Sequence, residues 1–304
     1  MKKKLLLVFF SMGIVVLLNS VSYTQTSLAD SLRDAGNLDA AIQEYQRLYN
    51  TNPNDDDNTY DLAGALALNR QIDSAFHYLS IAERNDTSVV VLSDPFFIHM
   101  IDDPRWSELE DMLIERVEKK FGKYSNVELS KELWRMRLKD QAYYYHINIA
   151  EKNGYGNLIR MALWDLKTRI NEENVARLEE IISEYGIPKI SYVKNTAAES
   201  AFLIIQHADI KTQEKYLPMF IEAADSGEAH WFQVALMVDR VNIRTGKMQI
   251  YGTQLYQHED GSYYVKDLIE PEYVNQRRAG VGLGPIQEYV KQWNVVWDIE
   301  QKEK

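Results

Sequence analysis

The sequence predicts a mainly α-helical protein carrying one β-hairpin, and three observations carry that expectation. Near the N-terminus, small and large apolar residues recur with a period of 34. Apolar stripes at helical spacing, punctuated by Gly and Pro, fill most of the remaining chain. The period switches once, over residues 248–267, to strand-like runs on either side of the turn-rich His258-Glu259-Asp260-Gly261.

Taken in order, the chain opens on Lys2, Lys3 and Lys4, an almost wholly apolar run from Leu5 to Leu18, and then Ser20-Val21-Ser22 and Thr24-Gln25. That is the layout of a secretory signal peptide over residues 1–25, its apolar run short for a bilayer span. The expected product is periplasmic or secreted. With no cysteine in the chain there is no lipid attachment point, disulfide, thiolate metal ligand or cysteine nucleophile, so no stable membrane anchor is expected after cleavage. The chain carries 34 basic and 45 acidic side chains, and loss of the three lysines takes its net charge from −11 to −14. Such a chain repels phosphate backbones, and nucleic acid is not an expected partner.

Ala29, Gly36, Leu38, Ala41, Tyr45, Leu48 and Pro53 are followed by Leu62, Ala63, Leu66, Ile72, Ala75, Leu79 and Ala82, with Ala75 standing 34 residues after Ala41. Small residues let the two helices of a hairpin approach, while larger ones fill the gap to the next. This stretch resembles tetratricopeptide repeats, with Arg70 at the second turn glycine and Thr87 at the closing proline as departures. Two repeats need a cap. Asp94-Pro95 and Asp103-Pro104 each read as a helix N-cap followed by Pro, and Trp106, Leu109, Leu113 and Val117 form a stripe. Trp106 is read as a core anchor in preference to a ligand platform. The array therefore spans 26–121 with its capping helices, and its groove would take a protein or peptide partner.

After a boundary at Gly122–Asn126, helices are expected over 127–150, 157–168, 172–185, 196–209, 212–225 and 228–245. Strands over 248–257 and 262–267 come next, with short helices opened by Pro271 and Pro285. The expected fold is thus tetratricopeptide-like hairpins followed by an α+β domain over 127–296, mostly helical with one hairpin, and a charged tail over 297–304.

Ionisable groups on apolar stripes mark candidate sites. His207 continues the stripe Ala197, Ala201, Ile204, and Asp239 continues Phe232, Ala235, Leu236. If the two helices are neighbours, Asp239 can orient His207 as a general base; a structural pair is the competing reading. Arg240 is a candidate anion ligand, and Asp209 a weak metal candidate with no second histidine nearby, so no metal or cofactor is expected. In the first strand Gly252 marks either a close approach or room for a helix packed across the sheet, and Gln249, Tyr251 and Gln254 beside it are candidate ligand contacts. Tyr143-Tyr144-Tyr145 and Tyr263-Tyr264 raise carbohydrate stacking.

Gln206-His207-Ala208-Asp209, Asp239-Arg240-Val241, Tyr251-Gly252-Thr253-Gln254, and Arg278 followed by Gly282-Leu283 and Glu288-Tyr289 resemble an uncharacterised bacterial domain family. Asp140-Gln141, Asn174 and Gly186-Ile187-Pro188 look like its earlier motifs, with Tyr144 where the family would place arginine. The resemblance covers about residues 128–292; it implies candidate positions, Arg278 among them, and no reaction. Two functions stay open: an exported protein-interaction or ligand-binding protein, whose C-terminal domain docks or binds a small ligand, and an envelope hydrolase using His207 as general base with Asp239 and Arg240.

Overall fold

A computed structural model describes residues 27–303, and the expected signal peptide lies outside the described residues. The described chain is mainly helical, with one two-stranded antiparallel hairpin. It divides into two compact units, residues 27–184 with 191–204, and residues 185–190 with 205–303.

In the first unit, α1 (Leu28–Asp34) starts at a reciprocal cap: the Ser27 hydroxyl accepts from the Asp30 N–H, and the Asp30 carboxylate accepts from the Ser27 N–H. With α2 (Leu38–Thr51), α3 (Asp56–Leu68) and α4 (Ile72–Ala82) it makes two helical hairpins. Ala29, Ala41, Ala63 and Ala75 are fully buried, as close helix approach requires. Gly36 turns the first hairpin at φ 79°, and Arg70 adopts the same left-handed conformation at φ 59° in the second. Side-chain bulk at Arg70 therefore strains the turn without changing it.

Burial of α3 runs nearly all round, taking in Thr59 and every residue from Leu62 to Leu68. Its last face is covered by the 3-10 turn Pro95–Met100, which starts where Asp94 accepts from the Phe96 N–H. Phe96 lies against Gly64, where a Cβ would stand 3.2 Å from the ring. Phe97 meets Tyr60 edge-on at 5.4 Å, and the Tyr60 hydroxyl donates to Asp94 at 2.7 Å. In α5 (Pro104–Phe121), Trp106 is wholly buried with Leu109, Leu113 and Val117, a core anchor.

Helix α6 (Val127–Lys152) packs on the 3-10 turns Val90–Ser93 and Pro95–Met100. The Tyr145 hydroxyl donates to the Arg33 carbonyl at 2.6 Å, Asn153 donates to the Ala35 carbonyl at 3.2 Å, and Ile149 lies 2.7 Å from where a Cβ on Gly36 would sit. The segment 122–126 thus lies inside a compact unit rather than between two. Helix α7 (Asn157–Tyr185) runs unbroken where two helices were expected, because Thr168–Asn171 contains no Gly or Pro to stop it. Helix α8 (Ile190–His207) starts six residues earlier than expected, with a kink at Lys194 (φ 62°).

The second unit contains the end of α8, then α9 (Ile210–Asp225) packed on α10 (Trp231–Arg244). Strands β1 (Leu255–Gln257) and β2 (Tyr263–Val265) pair with Leu255 opposite Val265. Beyond them, α11 (Val274–Gly280) and α12 (Ile286–Lys291) close a small core of Leu268, Val274, Ile286 and Val290. The segment expected as a charged tail docks here: Trp297 packs on that core, Gln301 accepts from the Asn275 N–H, and the Lys302 N–H donates to the Glu272 carbonyl. Among the described residues no helix is long and apolar enough to cross a membrane.

Candidate functional site

The first strand is shorter than its sequence implies, and the reason lies in residues 249–254. Instead of extended pairing, the backbone turns through Gly252 at φ 68°, so Ile250, Gly252 and Gln254 do not share a strand face. A Cβ at Gly252 would stand 2.7 Å from Cδ1 of Ile286 on α12, so glycine makes room for a helix and supplies the left-handed backbone.

Asp239, wholly buried on α10, organises this loop. Its Oδ1 accepts from the N–H groups of Ile250 (2.6 Å) and Tyr251 (3.0 Å), and its Oδ2 from the N–H (2.8 Å) and hydroxyl (2.8 Å) of Thr253. Burial pushes the carboxyl above its ordinary range, and these donors pull it back. Gln249, also wholly buried, bridges the loop ends: Nε2 donates to the Gln254 carbonyl (3.0 Å) and Oε1 accepts from its N–H (2.8 Å). Buried Arg278 donates to the carbonyls of Tyr251 (2.8 Å) and Gly284 (2.6 Å) and lies 5.0 Å over the Tyr289 ring. The Tyr289 hydroxyl donates to the Thr253 carbonyl at 2.7 Å, and Arg277 to the Ile250 carbonyl at 2.8 Å.

The loop backbone is therefore held at nearly every polar atom. What it presents is side chains. Tyr251, half-buried, meets Trp231 edge-on at 6.2 Å, and its hydroxyl makes no hydrogen bond among the described residues. Gln254 donates to the Leu236 carbonyl at 3.2 Å and stays part-exposed.

The other candidates sit around the α8–α9 corner. His207 is half-buried at the end of α8. Gln213, wholly buried, donates to the carbonyls of Gln206 (2.8 Å) and Ala208 (2.9 Å), on either side of His207. Arg240 also donates to the Gln206 carbonyl, at 3.1 Å. Asp209 is exposed and caps α9 by accepting from the Thr212 N–H at 2.8 Å, which lowers its carboxyl. The hydrogen bonds of Asp239 all go to the loop and none to His207. Asp239, Gln249, Tyr251, Gln254 and Arg278 thus come together at one loop, while Arg240 reaches the Gln206 carbonyl beside His207. Among the described residues no group of three or more His, Asp or Glu side chains is gathered to hold a metal.

A model of a family of unknown function, DUF6624, matches residues 127–302, more than half of the chain. The chain belongs to the DUF6624 family. The match begins at Val127, the first residue of α6, and contains the loop 249–254 and the α8–α9 corner. No curated protein and no solved structure matches the chain.

The DUF6624 region also contains a second buried polar cluster, in the first unit. Lys167 on α7 and Asp140 on α6 are each 1% exposed and paired at 3.0 Å. Gln141 donates to the other Asp140 oxygen, Lys167 donates to Asn171, and the ammonium lies 4.7 Å over the Tyr144 ring. Burial lowers the Lys167 ammonium's pKa, against the attraction of Asp140. Sequence reasoning missed Lys167. Its signal was the stripe Lys167, Asn171, Asn174, Leu178, Ile181, which reads polar at one end of a buried helix face.

Proposed function

We propose that this DUF6624 protein is an exported binding protein: its hairpins form a tetratricopeptide-like array for a protein or peptide partner, and its DUF6624 region binds a small ligand at Tyr251. The observation that carries the ligand reading is the loop 249–254, whose backbone is fixed by Asp239, Gln249, Arg277, Arg278 and Tyr289 while the Tyr251 hydroxyl is left to a ligand. A fixed loop loses little entropy on binding, and an aromatic corner of Tyr251 and Trp231 with Gln254 alongside suits a ligand having both apolar and hydrogen-bonding faces. Export rests on the N-terminal pattern and predicts recovery of the mature protein in the periplasm or medium.

A panel of metabolites and cell-wall fragments, screened by ligand-observed NMR against the mature chain, tests this. Tyr251→Phe keeps the ring contacts and is expected to weaken binding about tenfold at unchanged stability, the size of one lost hydrogen bond. No hit that depends on Tyr251 would sink the ligand reading. The hydrolase reading keeps one supporting observation, the Arg240 bond that ties α10 to the residue before His207. It needs an orienter for His207 other than Asp239, whose hydrogen bonds all go to the loop.

A further inference from the structure

The face of α3 that a groove-bound partner would use is filled by the protein's own turn Pro95–Met100. Four contacts define what that face holds. Tyr60 donates to the Asp94 carboxylate, Gly64 leaves room for the Phe96 ring, Arg33 lies 4.9 Å over the same ring, and Tyr60 meets Phe97 edge-on. The occupant is thus an acidic residue with two aromatics close behind it.

On its other side the turn is held by α6, through Phe96 against Tyr145 at 5.8 Å and through His99 beside His146 at 6.5 Å. Both imidazoles are only part-exposed. What faces them is Arg70 from the α3–α4 turn, the Ala142 carbonyl 3.3 Å from His146 Nδ1, and the rings of Tyr143 and Tyr145 on α6. Burial, and then the Arg70 charge, hold both imidazoles below their ordinary pKa of 6.5. At the two imidazoles the closed contact therefore resists protonation: their contribution keeps full strength above about pH 6.5 and weakens as the pH falls below, while the Asp94 carboxyl, held above its ordinary range by burial, acts in the opposite sense.

We propose that Pro95–Met100 is a built-in occupant of the array's inner face, released as His99 and His146 take up protons, and that the released face accepts a peptide turn carrying an acidic residue before paired aromatics. This rests on the reading of the hairpins as a partner-binding array. In mildly acidic surroundings the array opens to its partner; at neutral pH it holds its own segment.

Amide hydrogen exchange over residues 94–101 of the mature chain, at pH 7.5 and 5.5 and corrected for intrinsic rates, reads the release. Wild type is expected to lose protection roughly tenfold at the lower pH, as two buried rings gain charge beside Arg70. His99→Asn/His146→Asn and, separately, Arg70→Gly are expected to lose clearly less. Equal protection at the two pH values in wild type, or the same loss in both variants, would overturn the release. A labelled synthetic peptide copying residues 93–100 is then titrated at both pH values, with tighter binding expected at pH 5.5. Release without peptide binding at either pH would refute the partner-binding array while leaving the acid-driven opening intact.

Discussion

Replacing Asp239 by Asn removes one acceptor oxygen from a loop that uses two. Oδ1 serves Ile250 and Tyr251, while Oδ2 serves the N–H and hydroxyl of Thr253. In either orientation the new amide group points its own N–H bonds at donors, leaving at least one and up to two buried backbone N–H groups without an acceptor; the Thr253 hydroxyl can rotate and accept instead. Each orphaned donor costs about 1–3 kcal/mol, so Asp239→Asn is expected to lose about 2–5 kcal/mol. Urea unfolding followed by tryptophan fluorescence measures the loss, and amide exchange at residues 250–253 should rise far more than elsewhere. His207→Ala is the internal control, expected within about 1 kcal/mol of wild type for a half-buried side chain. If Asp239→Asn unfolds within about 0.5 kcal/mol of wild type, the loop does not depend on this carboxylate, and a role for Asp239 in chemistry regains ground.

Three other substitutions have outcomes set by the same structure. Gly252→Ala should destabilise by about 2–4 kcal/mol, since it adds left-handed strain and a clash with Ile286, and chemical denaturation reads it. Lys167→Ala should cost about 3–5 kcal/mol by removing the cation paired with the buried Asp140 carboxylate, with the loss appearing in thermal unfolding of the mature chain. Glu83 is buried beside Asp86, its Oε2 without a partner, and its carboxyl is pushed up to about 8 from 4.5. A group raised in the folded state holds an extra proton between those values, so stability falls as pH rises from 4.5 to 8. Glu83→Gln mimics the protonated form and is expected to gain about 1–2 kcal/mol at about pH 8 and to flatten that slope in a pH series of urea titrations.

The architecture was legible wherever local signals were strong. The alanine period located two hairpins, Asp-Pro pairs marked true helix starts, and Gly-rich punctuation bounded α6, α9 and α10 within a few residues. Where the chain departs from that reading, the cause is tertiary. Residues 248–254 carry β-forming side chains, yet one buried carboxylate takes the amides that a partner strand would have used. The polar stripe of α7 was invisible as a site because its acidic partner, Asp140, comes from a different helix. Trp297 and Gln301 sit in a charged segment whose docking depends on groups some twenty-five residues earlier, Asn275 of α11 among them. Candidate residues fared unevenly for the same reason. Composition identified ionisable groups on apolar faces, but which of them hold backbone and which face outward is decided only by where the loop 249–254 lies.

Helix α6 is the first element of the matched family region, yet its Tyr145, Ile149 and Asn153 rest on residues 33–36. A gene cut at position 127 would therefore remove the residues on which these three side chains rest. Evolutionary shuffling meets the same fact: on a new neighbour this module would leave those three side chains without the residues they rest on. The segment recognised by its motifs begins inside a compact unit, and the longer chain is the natural object for expression and exchange.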